Sequence, residues 1–141
     1  MIRVMADAIE NLAVYLHLAK AAWKKLQMPD RDRLFVIAAV HASQMKMETI
    51  AQYCRFLVLK NNPGHMLRRW PDLRQALLDE DFLHFFKQVH RRFPIEKAET
   101  MLVELGIDRA NERATYYDDE EYAAALLGVD QQWLQQMFGQ A

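Results

Sequence analysis

The chain has 141 residues, 52% of them apolar and 26% charged, with a formal net charge of −1. That is the composition of one folded globular domain, and it excludes intrinsic disorder and any global electrostatic pull toward nucleic acid or a membrane surface. No apolar run approaches the roughly 20 residues that span a bilayer, so no membrane association is expected. The single Cys54 cannot form an internal disulfide, and Arg3, Asp7 and Glu10 interrupt the N-terminus, so a secretory signal is not expected and the chain reads as cytoplasmic.

Only four glycines and four prolines punctuate the sequence, and β-branched runs are nearly absent. The reading is therefore an all-α single domain, a bundle or array of antiparallel helical hairpins with about seven to nine helices. Over residues 2–27, Ile2, Met5, Ile9, Leu12, Leu16, Ala19, Trp23 and Leu26 recur in steps of three and four. They predict one long amphipathic helix whose stripe can pair with its own copy. Ile9, Leu12, Leu16 and Trp23 are the expected self-association residues of a homodimer.

Pro29 is expected to end this helix, with Asp30 or Asp32 capping the next, which runs from about Arg33 to Gln44. A third helix carries Met47, Ile50, Ala51, Cys54, Leu57 and Val58 on one face, and the "NNPGH" stretch at Asn61 to His65 stops it. The two form a predicted hairpin over residues 32–61. C-terminal helices are expected over 72–138. Pro71 and Pro94 sit where prolines open helices, and between them Phe82, Phe85, Phe86, Val89 and Phe93 face inward. Leu-Gly-Ile-Asp at 105–108 and Leu-Gly-Val-Asp at 127–130 write the same corner twice. In each, the glycine takes a positive φ past a helix end and Asp108 or Asp130 caps the next helix. Asp118 and Glu121 predict a capping box.

Ala39, Ala51 twelve residues later, and Pro63 twelve residues after that follow the small-residue and closing-proline spacing of a tetratricopeptide helical hairpin, which residues 32–65 resemble. Ala42 stands where that family places a large aromatic, Arg55 stands where an apolar residue is usual, and no second copy aligns. Ala124, Gly128 and Leu134 have the spacing of a helix-turn-helix, which residues 119–138 resemble, with Gln131, Gln132, Gln135 and Gln136 along the second helix. Asp118, Asp119, Glu120, Glu121 and Asp130, with no lysine or arginine from 118 onward, would repel a phosphate backbone.

Asp79, Glu80, Asp81 and His84 are the most metal-like cluster. Acids at a helix start are accounted for by capping and the helix dipole, so no metal site is expected. His41 falls on an apolar stripe and Cys54 on a buried face, and a pairing of the two across the hairpin is open. The isolated glycines leave no phosphate-wrapping loop, so no catalytic residue and no cofactor is predicted. "NPGHMLRRWPDL" places Trp70 beside an arginine pair, a composition found in binding hot spots, and Arg68, Arg69, Trp70, Arg91 and Arg92 are the candidate partner-binding residues. The leading expectation is a non-enzymatic helical protein-protein interaction or scaffold domain. The alternatives are a nucleic-acid-associated regulator using the basic residues from Arg55 to Arg92, and an enzyme with a cleft at His41, Cys54 or His84.

Overall fold

The computed structural model describes the backbone of residues 2–139 and the side chains of residues 8–139. Among the described residues there are eight α-helices, two 3-10 turns and no strand: α1 (Ile2–Lys24), α2 (Met28–Gln44), α3 (Glu48–Asn61), α4 (Leu73–Ala76), α5 (Glu80–Arg92), α6 (Ile95–Glu104), α7 (Asp119–Leu126) and α8 (Gln131–Phe138). The 3-10 turns are Met66–Arg69 and Arg113–Thr115.

Helix α2 is the axis of the molecule. Its sequence is apolar almost all the way round, from Leu34 through Val40, and these residues are buried together with Arg31, Asp32, Ala42 and Ser43. A helix without a polar face is stable only when covered on every side. Here α1 and α3 flank α2, while α4 and α5 close over it. Helices α6 and α7 pack on α1, and α8 packs on α3. Ala39 and Ala51, the small residues of the resembled hairpin, are both fully buried.

Four helices end the same way. The amide of Gln27 bonds Ala22 O, that of Met47 bonds Ala42 O, that of Ile107 bonds Leu102 O, and that of Val129 bonds Ala124 O. Each closes a Schellman turn around one residue of positive φ. That residue is glycine at Gly106 (φ 74°) and Gly128 (φ 77°), as expected, but Leu26 (φ 58°) and Lys46 (φ 64°) at the other two. The Leu26 turn ends α1 at Lys24, earlier than residue 27, and Pro29 lies in the first turn of α2 instead of terminating α1. Neither predicted aspartate caps α2: Asp30 accepts a hydrogen bond from Arg33, and Asp32 accepts from Arg31 and Asn61.

Further along, Asp72, Asp79, Asp118 and Asp130 cap α4, α5, α7 and α8 by accepting backbone amides. Glu121 reaches back to the amide of Tyr117, one residue before the cap. Two expectations are corrected. Pro71 lies outside the short α4, and Asp108 holds only the amide of Ala110 in a turn, with no helix directly after it. The inward set of α5 divides: Phe82, Val89 and Phe93 are buried, and Phe85 and Phe86 are half-buried against them.

Candidate functional site

The expected chemical groups are dispersed. His41 stacks on Tyr15 with ring centroids 5.3 Å apart and lies 6.3 Å from the His90 ring. Burial, reinforced by the charge of His90, pushes its pKa down to about 4, so the imidazole is held neutral. The Tyr15 hydroxyl is engaged, donating to Phe93 O at 2.7 Å. Cys54 is fully buried, and burial pushes its thiol up to about 12 despite the opposing charge of Arg31. No hydrogen bond joins Cys54 to His41 among the described residues. Burial thus disfavours the thiolate, the nucleophilic form of a cysteine.

The acidic start of α5 is likewise occupied by structure. Asp79 accepts the amide of Asp81 and the indole N–H of Trp70, and Asp81 pairs with Arg69 at 3.0 Å. His84 sits on the exposed face beside Gln88. No group of three or more His, Cys, Asp or Glu could hold a metal ion among the described residues. No helix there is long and apolar enough to cross a membrane.

Among the proposed partner-binding residues, Trp70 is buried against Phe82, with its indole N–H satisfied by Asp79 and its carbonyl by Arg55. It serves the core, as an aromatic between two helices commonly does. Arg69 is tied to Asp81 and Arg74 to Asp72 and Glu48, while Arg68 donates to Pro63 O. Arg91 and Arg92 are exposed near the end of α5. The self-association stripe is turned inward: Ile9, Leu12 and Leu16 lie in the chain's own core and offer no surface to a second copy. Of that set only Trp23 reaches solvent. The side chains of Ile2 and Met5, the first of the stripe, lie outside the described residues.

The α7–α8 corner turns as expected at Gly128, and Leu134 is fully buried, Trp133 partly. Met137, one turn further along α8, is 59% exposed. Gln131 donates to Glu120, so one of the four glutamines is committed to the acidic start of α7.

The arrangement that does converge was not anticipated. Where the end of α1, the outer face of α3 and α8 meet, a groove of about 570 Å³ opens between Trp23, Arg31, Tyr53, Phe56, Lys60 and Trp133. Trp23 is 41% and Phe56 43% exposed. The rings are pre-arranged: Tyr53 meets Trp133 edge-on at 5.3 Å, and both lean on Phe138. The Arg31 guanidinium lies 4.0 Å over Trp23, and Lys60 Nζ lies 5.9 Å over Phe56. Arg31 is held in place by Asp32 at 2.8 Å and by Leu57 O. Trp23 also walls a second depression of about 260 Å³, which Lys20, one turn earlier on α1, and the adjacent Lys24 line as well. Chemically the groove sets exposed aromatic rings beside cationic side chains.

A second unforeseen cluster ties α1 to the segment after α6. Glu112 Oε1 lies 2.8 Å from His17 Nε2 and accepts the Tyr122 hydroxyl at 2.5 Å, and Arg109 reaches Glu10 at 3.4 Å. Burial alone would raise the Glu112 pKa. The hydrogen bonds from His17 and Tyr122 outweigh it and hold the carboxyl low. This fastens the C-terminal third to the N-terminal helix.

Comparison of the chain with protein-family models, with characterised proteins and with solved structures yields no match.

Proposed function

We propose that this chain is a non-enzymatic helical interaction domain that takes apolar side chains of a protein partner into the groove between α1, α3 and α8. The observation that carries the reading is the exposure of Trp23 and Phe56 beside Tyr53 and Trp133 around one depression. Large aromatics flanked by arginine are the composition of binding hot spots, and a wall of packed rings costs little conformational entropy on binding. The tetratricopeptide-like hairpin of α2 and α3 suits the reading, because α3 presents its second, aromatic face outward. A cytoplasmic setting suits a lone, free and buried cysteine. The nucleic-acid reading has less support, since Arg69 and Arg74 of the basic central region are ion-paired within the chain.

The test is a random peptide-display library panned on the intact chain, with the Phe56→Asp variant as counter-target and its urea midpoint as the folding control. The expected result is enriched peptides that lose about tenfold or more in affinity, roughly 1.4 kcal/mol, on the folded variant. Absence of enrichment, or peptides indifferent to Phe56→Asp, overturns the proposal.

A further inference from the structure

The charge around the groove is one-sided although the chain is not. The sequence holds 18 Lys and Arg against 19 Asp and Glu, yet the two depressions that share Trp23 are lined by Lys20, Lys24, Arg31 and Lys60 and by no carboxylate. Arg31 is balanced from behind by Asp32. The uncompensated charge is therefore that of the three lysines, two on consecutive turns of α1 and one at the end of α3. Lys20, Lys24 and Lys60 are all exposed, and none of them takes part in an ion pair among the described residues. Apolar walls with a cationic rim select a partner that is apolar at its centre and anionic at its edges.

From this, and resting on the interaction reading above, we infer that the occupant is an acidic amphipathic peptide segment, with aliphatic or aromatic anchors in the groove and Asp or Glu side chains meeting Lys20, Lys24 and Lys60. A peptide fits better than a single nucleic-acid strand. Bases need successive bare ring faces to stack on. Here the Trp23 face is covered by Arg31 at 4.0 Å, and Phe56 lies nearly parallel to Tyr53 at 19° with their centroids 6.3 Å apart. The Tyr53 ring is in turn abutted by Trp133. The rings therefore form a wall for side chains and not a ladder for bases.

The experiment is fluorescence anisotropy at low salt with four labelled probes: a synthetic helical peptide with Leu and Trp on one face and Glu on the other, its Gln copy, its Lys copy, and oligo-dT. The acidic peptide is expected to bind about tenfold more tightly than the Gln copy, with the difference shrinking as salt is added. The Lys copy and oligo-dT are expected to show no saturable binding. In the variant Lys20→Gln/Lys24→Gln/Lys60→Gln, whose substitutions lie on exposed helix positions, the acidic peptide is expected to bind no more tightly than its Gln copy binds the same variant. Equal binding of the three peptides overturns the charge assignment and leaves the groove reading intact. Tighter binding of oligo-dT than of the acidic peptide overturns it in favour of a nucleic-acid strand. No binding of any peptide overturns it too, and the display selection then decides separately whether the groove binds peptides at all.

Discussion

The guanidinium of Arg31 lies 4.0 Å over the ring of Trp23, and this contact joins the buried axis of the bundle to the aromatic groove. Arg31 is only 2% exposed and is paired with the neighbouring Asp32, itself buried. Removing the cation strands a buried carboxylate with only the amide of Asn61. Arg31→Ala is therefore expected to lower unfolding free energy by about 3 to 5 kcal/mol. The double change Arg31→Met/Asp32→Leu should recover most of that loss. Urea denaturation of the three chains measures both effects, and a small loss in Arg31→Ala would show that the pair is not structural.

His41 makes the fold sensitive to acid. Its pKa falls from the ordinary 6.5 to about 4 through burial and the proximity of His90, so the unfolded chain takes up a proton that the folded chain refuses. The stability this represents is present above about pH 6.5 and is lost as pH falls toward 4. The loss is at most about 3.5 kcal/mol at roughly 1.4 kcal/mol per pH unit. His41→Asn should flatten this segment of the stability curve, read as urea midpoints at successive pH values in both chains. Identical slopes would assign the acid sensitivity to other groups.

The four Schellman turns give two predictions of opposite sign. A Cβ on Gly128 meets nothing within 4 Å, so Gly128→Ala is opposed only by the left-handed backbone, at about 1 kcal/mol. Lys46 already bears that strain at φ 64° and is exposed, so Lys46→Gly should stabilise, by up to about 1 kcal/mol after the entropy glycine adds to the unfolded chain. Thermal denaturation of the two variants shows whether the shifts have opposite signs.

Cys54 should be silent in the native state. Its thiol is fully buried and disfavoured from ionising, with its pKa near 12, so a thiol-exchange reagent should label it only through unfolding. The labelling rate is expected to climb with urea in step with the loss of helical signal. Fast labelling in native buffer would place the thiol at the surface.

These features were not equally readable from the amino-acid order. Periodicity exposes α5, because Phe82, Val89 and Phe93 lie along a helical stripe. Gly106 and Gly128 announce their corners because only glycine adopts a positive φ without strain. The turns at Leu26 and Lys46 carry no such mark, since tertiary packing imposes the conformation on residues that do not favour it, and the boundary between α1 and α2 shifts accordingly. The inward stripe of Ile9, Leu12 and Leu16 has the same pattern whether its partner is a second chain or this chain's own α2, so periodicity could not separate a dimer seam from a core.

The groove was hidden for a different reason. Tyr53 and Phe56 lie off the face of α3 that carries Ile50, Cys54, Leu57 and Val58, and aromatics outside the core stripe were the available signal. Their meeting with Trp23 and Trp133 depends on three elements distant in sequence, α1, α3 and α8. No local spacing encodes that. Trp70 beside its arginines looked more like a hot spot, but its indole is spent on Asp79 inside the fold.

The chain's three tryptophans provide the sharpest test of the groove as a binding surface, because two line the groove or its edge and the third is internal. Indole N–H resonances of 15N-labelled protein, assigned by single Trp→Phe substitutions, can be tracked while a display-selected peptide is added. The Trp23 and Trp133 signals are expected to move together to saturation, while that of Trp70, bonded to Asp79, stays in place. A peptide that binds while Trp23 and Trp133 stay fixed, or that moves Trp70 as much as the other two, would refute the groove as the binding surface.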